Sequence, residues 1–436
     1  MFNIKNFANT KDKKRLLSNF FSLSSLQVAS YIFPLITLPY LVRVLGPSKY
    51  GLVAFAQAFI GYFQILTNYG FGLSATREIS IHRDNEEKVS EIFSSVLTIQ
   101  LLLALISFII MFAIVFIFKK FSKDWLLYFF SFGLVIGNVL FPVWFFQGIE
   151  RMRYITILNV ISKFIFTGAI FIFIRTQADY PYVPLISAIG IILSGIFGFW
   201  IIFKSIKVKF KLPSIINIKY QLKEGWHIFI STVAISLYTI SNTFILGLFA
   251  SSEIVGYYAS AEKIIMAVRG LLMPLYNSAY PYLSKLLHDS KEKGLKFINK
   301  MTFFTGLLTL IISLCLYFFS GIIIGIIFGD KYDKSIEIIK ILSFFPFVTN
   351  FGIIFGGLTT LNLGYKSAYS KILILAGLIN TLLAFMLAPY YAGEGVATAL
   401  MICETFIATS LFLFLRNKNV YINPLTDLAK AYKTWL

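Results

Sequence analysis

The chain has 436 residues, of which 58% are hydrophobic and 14% are charged, and its net charge is +19. Soluble domains are about 25% charged, so this composition excludes an ordinary globular enzyme and indicates a membrane protein. The positive charges flank apolar segments, which is typical of anionic lipid contact and membrane topology rather than of nucleic-acid binding. No nucleic-acid partner is therefore expected.

Long uncharged segments begin near the N-terminus and recur along the chain. The first three occupy residues 16–42, 50–76 and 92–118. Each exceeds the roughly 20 residues that cross a bilayer as a helix, and segments of this length are not the short strands of a membrane barrel. The sequence therefore predicts an all-α polytopic membrane protein. Its twelve predicted spans lie at about 17–42, 51–73, 92–118, 125–147, 154–174, 182–203, 226–249, 257–282, 301–328, 338–361, 372–391 and 395–415.

Basic residues predict the orientation of these spans. An even number of spans places both termini on one side of the membrane. Of the 39 Lys and Arg residues, 27 fall on that side and 8 on the other. Basic loops remain in the cytoplasm, so both the N- and C-termini are predicted to be cytoplasmic. The first apolar segment lacks a small-x-small cleavage site and is interpreted as an uncleaved span.

The longest loop, at about 204–225, falls between spans six and seven and divides the chain into two halves of six spans. We predict an N-terminal lobe at 1–210 and a C-terminal lobe at 211–436. The second span of each half opens similarly, with YGLVAFAQ at 50–57 and VGYYASAE at 255–262. Two halves with the same topology indicate a parallel repeat.

Arrangements of residues that would indicate an enzyme are scarce. His82, His227 and His288 are far apart in sequence and have no metal-ligand spacing. Asp330 and Asp333 form a DxxD pair in an external loop. A metal-dependent glycosyltransferase uses paired acids, but a solvated loop pair is the simpler interpretation. The chain is therefore not predicted to be an enzyme, and no cofactor or metal is expected.

Charged residues inside the spans are the main candidates for function, because a charge at the bilayer centre costs about 2.5–3.5 kcal/mol or more. Lys163 and Arg269 lie near the middle of spans five and eight, and both suit an anionic ligand. Glu404 in span twelve and Glu262 in span eight are candidates for ion coupling. The alternative is a structural ion pair within the bundle, for instance between Glu404 and Lys163.

The second span is more polar than contact with lipid requires. Within it, Gln57 and Asn68 are predicted to bind substrate along a polar wall.

Three segments carry a resemblance to a known family: 38–80, 142–163 with the motif WFFQGIE, and 244–264. In them the chain resembles the polysaccharide flippases of the multidrug/oligosaccharidyl-lipid/polysaccharide superfamily, which transport O-antigen and capsule repeat units. The resemblance implies a fold like that of the multidrug exporters, with two six-helix lobes around a central cationic cavity. It also implies Arg43, Arg77 and Arg269 as substrate-binding residues.

The substrate implied by this resemblance is an oligosaccharide linked to undecaprenyl diphosphate. The family moves it from the cytoplasmic to the outer leaflet of the bacterial inner membrane by alternating access. Implied partners are membrane lipids, a polysaccharide polymerase and a chain-length regulator. Outward movement of anionic charge gains about 2.3 kcal/mol per charge per 100 mV of inside-negative potential, and no nucleotide-binding motif is visible in the sequence.

Two other functions remain open on the sequence alone. A drug or cation antiporter on the same fold should favour acidic residues within the spans, whereas Lys163, Lys263 and Arg269 outnumber Glu262 and Glu404. A membrane polysaccharide polymerase or ligase should carry a large external loop. The external loops here, such as 175–181 and 250–256, are short.

Overall fold

The computed structural model describes residues 11–206, 208–420 and 422, and for residues 11–32, 35 and 238 it describes the backbone alone. Within these residues the secondary structure is helical and no β-strand occurs. A helix satisfies its own backbone hydrogen bonds, which hydrocarbon cannot do. The predicted all-α polytopic fold is confirmed.

The helices follow one another along the chain with short connections. Before the loop at 204–225 lie α1 Lys11–Asn68, α2 Phe71–His82, α3 Glu86–Ile117, α4 Lys119–Ser122, α5 Trp125–Leu140, α6 Val143–Gly148, α7 Met152–Phe173, the 3₁₀ turn Gln177–Asp179 and α8 Tyr182–Ser205. Next come α9 Ile215–Thr239, α10 Ser241–Phe249, α11 Ser252–Asp289, α12 Lys291–Phe318, α13 Ser320–Ile327, the 3₁₀ turn Asp330–Tyr332, α14 Ser335–Leu342, α15 Phe345–Gly352, the π-helix Ile353–Thr360 and α16 Lys366–Asn417.

These helices cover all twelve predicted spans, although some spans are joined or broken. By length and apolarity alone, eight described helices could cross a membrane, or nine if the bent pair α9–α10 is one span. Both α1 and α16 contain two predicted spans, with non-helical backbone at Gly46 and Ala392 respectively. Helix α11, which contains predicted span eight, is 38 residues long. It is not among these eight helices, because its charged residues lower its apolarity.

The backbone contacts divide the chain after Val233 into two compact units, Met1–Val233 (unit 1) and Ala234–Leu436 (unit 2). Unit 1 has a core that includes the fully buried Phe93 and Phe145. Unit 2 has a core that includes Leu283 and Cys403. The lobe boundary at 210/211 stays a prediction.

The two segments of the sequence repeat occupy similar environments in their own units. Ala56 of α1 and Ala261 of α11 are both fully buried. Gly51 and Gly256, which also match, are buried as well. Small residues at such positions let a neighbouring helix approach closely, so each unit keeps a small-residue face at the start of its second span.

A tight turn at Tyr69–Gly70 fixes the position of α9 in unit 1. Both residues have positive φ, 44° and 79°. A Cβ at Gly70 would lie 2.8 Å from Cβ of Ile228 and 2.9 Å from the carbonyl oxygen of Gly225. The ring of Tyr69 stacks on Phe229 with a centroid distance of 4.8 Å. The turn therefore holds the first part of α9 against the end of α1.

Gly70→Ala should lower the thermal unfolding temperature of the purified protein in detergent. The left-handed conformation costs an L-residue about 1–2 kcal/mol, and overpacking adds about 1–3 kcal/mol. Gly72→Ala is the matched control, because its added Cβ meets nothing within 4 Å. Equal unfolding temperatures for the two variants would contradict the proposed close contact.

Candidate functional site

Three predicted substrate-binding residues lie along α1: Arg43 just after span one, and Gln57 and Asn68 in span two. Arg43 is exposed, Gln57 is partly buried, and Asn68 is exposed at the last residue of the helix. The exposed side chains of Arg43 and Asn68 are accessible to a ligand without any rearrangement. Their role in binding stays a prediction.

Arg77 projects from α2, and its side chain is 71% exposed. Its Nη1 lies 4.0 Å from Oε2 of Glu224 on α9. An ion pair this exposed contributes about 0–1 kcal/mol, so an anionic ligand could displace Glu224 at little cost. Lys163 is partly buried on α7, in agreement with its predicted position inside a span.

Unit 2 brings two of the predicted residues together, Arg269 of α11 and Glu404 of α16. Glu404 is 5% exposed, and the positive charge of Arg269 acts on it. The guanidinium carbon of Arg269 lies 5.9 Å from the ring centroid of Phe345, within range of a cation–π interaction. Arg269 is thus a positive charge that acts on Glu404 within unit 2, and the alternative ion pair between Glu404 and Lys163 stays a prediction.

Among the described residues, the carboxylate of Glu404 accepts no hydrogen bond and forms no ion pair within 4.0 Å. Its Oε2 lies 4.0 Å from the position that a Cβ at Gly352 would occupy. A buried charge without hydrogen bonds is costly. The interaction with Arg269 therefore acts through space.

Polar side chains from three helices surround this pair. The Tyr276 hydroxyl donates a 2.8 Å hydrogen bond to Oδ1 of Asn350. The Nδ2 of Asn350 is buried and has no partner in the described part of the chain. Tyr369 interacts electrostatically with both Glu404 and Arg269. The cluster is consequently a partly unsatisfied polar site, which is unusual in a buried environment.

The backbone next to this cluster is a π-helix, Ile353–Thr360. The hydroxyls of Thr359 and Thr360 donate to the carbonyl oxygens of Ile354 and Phe355, at 2.7 and 2.6 Å. Each bond reaches five residues back, as the wider turn requires. Such turns are rare and occur frequently at functional sites.

Glu262, the second candidate for ion coupling, has a different environment. Its two carboxylate oxygens accept hydrogen bonds from Oγ1 of Thr243 at 3.3 Å and from the hydroxyl of the fully buried Tyr258 at 3.2 Å. These bonds stabilise the carboxylate where it is. Of the two acids, Glu404 has the more unsatisfied side chain.

A third polar group lies at the break between α9 and α10. Nδ2 of Asn380 donates to Oδ1 of Asn242 at 2.8 Å and to the carbonyl oxygen of Leu237 at 3.3 Å. Oγ1 of Thr381 donates to the same carbonyl at 3.1 Å. Side chains of α16 thus satisfy backbone at the helix break.

The prediction from charge alone missed Tyr276, Asn350, Tyr369 and the pair Asn242–Asn380. The sequence feature that could have pointed to these clusters is an amide side chain within an uncharged segment, as at Asn350 and Asn380. An amide in a span needs hydrogen-bonding partners nearly as much as a charge does.

The apolar helices and the buried polar clusters are those of a polytopic helical membrane protein. Its fold is also found in solved transporters. The fold is similar to that of the lipid II flippase MurJ in an inward closed conformation, with TM-score 0.65, 15% identity and coverage of 96% of this chain and 92% of that chain. It is also similar to an inward-facing multidrug resistance MATE transporter of the MOP superfamily, with TM-score 0.64, 16% identity and coverage of 91% and 98%.

Sequence comparison identifies the family. Residues 16–287 match the family model described as polysaccharide biosynthesis protein. The chain is 31% identical over 411 residues to a putative O-antigen transporter of Escherichia coli (strain K12), which covers 94% of this chain and 99% of the relative. The chain belongs to the polysaccharide biosynthesis protein family, and the resemblance seen in the sequence is confirmed.

The coupling between Arg269 and Glu404 can be measured by a double-mutant cycle. Arg269→Gln should destabilise the protein, because it leaves Glu404 without its counter-charge. Arg269→Gln should cost less in a Glu404→Gln background, with a coupling energy of about 0.5–3 kcal/mol. Thermal unfolding in detergent measures the four proteins. Additive effects would show that the two side chains do not interact.

Proposed function

We propose that this protein is a flippase that moves oligosaccharide repeat units linked to undecaprenyl diphosphate from the cytoplasmic to the outer leaflet of the bacterial inner membrane. It acts without catalysing a reaction, and it supplies O-antigen or capsule synthesis. Support comes from the relative named as an O-antigen transporter and from the fold shared with a lipid II flippase. The observation that carries the proposal is this family membership, since the match to that relative covers nearly its whole length.

The buried polar cluster of unit 2 supports the same substrate class. A diphosphate with sugars cannot cross hydrocarbon unaided, because its polar groups lose their hydration. An arginine replaces that hydration with bidentate, charge-assisted hydrogen bonds to phosphate oxygens. Arg269 is the partly buried guanidinium of this cluster, and we assign it to the diphosphate.

The residues of unit 1 would then contact the substrate at its entry and along its sugars. Arg77 is exposed and weakly paired, which suits a first contact with an anionic headgroup. Arg43 and Lys163 add positive charge. The amides of Gln57 and Asn68 can donate to and accept from sugar hydroxyls.

The charge balance of the cluster also supports ion coupling at Glu404. A diphosphate that binds Arg269 takes away the counter-charge of Glu404. An uncompensated buried carboxylate is unfavourable, so Glu404 would then gain a proton or a cation. Release of the substrate would reverse the exchange. Glu262 is the second candidate, although its carboxylate already accepts two hydrogen bonds.

The orientation in the membrane belongs to this proposal. The distribution of Lys and Arg supports cytoplasmic N- and C-termini. A polymerase and a chain-length regulator, which act on the flipped units, are the proposed protein partners.

A drug or cation antiporter is the second candidate function. One observation favours it: the buried Glu404, on a fold shared with a multidrug resistance transporter. A cationic drug would pair with Glu404 and be repelled by Arg269. A polymerase or ligase is less well supported, because the relative is named as a transporter.

Deletion of the gene should cause single lipid-linked repeat units to accumulate on the cytoplasmic leaflet. Accessibility of the glycan to a glycosidase, in spheroplasts compared with inverted vesicles, measures the side. Units accumulating on the outer face would indicate a polymerase instead. A deletion strain that loses drug resistance but keeps a normal surface glycan would indicate that the protein is the antiporter.

Arg269→Gln should reduce transport of lipid-linked repeat units in the complemented deletion strain by at least about tenfold. A hydrogen bond to a charged group contributes about 1.5–3 kcal/mol, and the variant loses it with the charge. Lys285→Gln removes a charge at an exposed position of the same helix and is the matched control.

Full transport by Arg269→Gln, at normal expression, would reduce Arg269 to a structural charge. Equal losses in both variants would indicate an effect of charge on α11 as a whole rather than binding at Arg269.

A further inference from the structure

The segment that joins α8 to α9 is attached to unit 1 along its length. We name residues 208–223 the basic connector. Its backbone N–H groups at Lys209 and Lys211 donate to Oγ of Ser90 and Oγ of Ser94 on α3, at 3.1 and 3.0 Å. The non-helical first part of the connector is therefore held against α3, and its second part is the start of α9.

An ion pair reinforces this attachment. Nζ of Lys211 lies 2.8 Å from Oε1 of Glu87. This hydrogen bond and charge hold the pKa of Glu87 below its usual range, so the pair is present at neutral pH. Val208, at the start of the connector, is 6% exposed and belongs to the core of unit 1.

Large apolar side chains of the basic connector face away from the protein. Leu212 is 91% exposed, Ile216 is 74% exposed and Ile215 is 66% exposed. Phe210 and Tyr220 are each 47% exposed. An apolar surface on this scale normally contacts another molecule or a membrane.

Basic side chains lie among these apolar ones. On α9, Ile215, Ile216, Lys219, Tyr220 and Lys223 have the spacing of one helix face, and all five are exposed.

Lys209 adds a third exposed cation beside this face. The nearby acids Glu87 and Glu224 form ion pairs with Lys211 and Arg77. The outward face of the connector therefore has an excess of positive charge.

The position of the connector in the sequence indicates which kind of molecule it contacts. Helix α8 ends at Ser205, and the apolar part of α9 follows Glu224, so the connector lies where two spans meet the aqueous phase. A helix face with exposed apolar residues and lysines at that level is typical of an interfacial element. We propose that the basic connector binds the anionic phospholipids of the adjacent leaflet, with its apolar side chains at the acyl boundary and its lysines at the phosphates.

A fluorophore at position 212 tests this proposal in the full-length chain. Leu212→Cys is labelled in a Cys315→Ser background, which removes the exposed native thiol. The protein is placed in nanodiscs of phosphatidylglycerol and phosphatidylcholine, with bromine quenchers on the acyl chains of one lipid or the other. Stronger quenching by brominated phosphatidylglycerol is expected. Added salt should reduce this preference, since screening weakens charge pairs near the surface.

Replacing the three outward lysines, Lys209→Gln, Lys219→Gln and Lys223→Gln, should lower the phosphatidylglycerol enrichment about fivefold or more, since each lysine near an anionic surface favours binding by about that factor. Lys285→Gln, Lys291→Gln and Lys293→Gln remove equal charge from a different exposed segment and should leave the enrichment unchanged.

Equal quenching by the two lipids would overturn the proposal. Absence of quenching by either lipid would do so as well, because it would mean that protein or water covers Leu212. Loss of enrichment in the control variant would assign the effect to net charge instead of to the connector.

Discussion

Hydrocarbon offers no hydrogen bonds, and at two irregular points in the helices of unit 2 side chains bond to the backbone carbonyls. At the break between α9 and α10, Asn380 and Thr381 donate to the carbonyl oxygen of Leu237. In the π-helix, two threonine hydroxyls donate to carbonyls five residues back. These breaks are consequently stable parts of the fold, placed beside the polar clusters.

The two acids of unit 2 show why burial alone does not identify a coupling residue. Glu262 accepts hydrogen bonds from Thr243 and Tyr258, which stabilise its carboxylate. Glu404 depends on Arg269 through space. Only an acid whose stability depends on a second charge can respond when a ligand takes that charge, so the proposed coupling rests on the difference between the two environments.

Much of the fold could be predicted from the sequence, because long uncharged segments admit only helices in a bilayer. The charged residues of α11 and Glu404 could be recognised as candidate functional residues for the same reason, because they interrupt uncharged segments. Their pairing was not, since Arg269 and Glu404 lie 135 positions apart in the numbering and no periodicity encodes helix packing. The short kinks at Gly46 and Ala392, which join two predicted spans in α1 and in α16, and the hydrogen bond of Asn350 also depend on that packing.

The π-helix has a consequence for the register of span ten. An α-helix advances about 100° per residue, so an extra residue in α-helical geometry would turn one side of the span by that angle against the other. The wider π turn at Ile353–Thr360 absorbs an extra residue within a single turn. The segments on its two sides therefore keep the orientation of one helix, and Asn350 keeps its place at the hydroxyl of Tyr276.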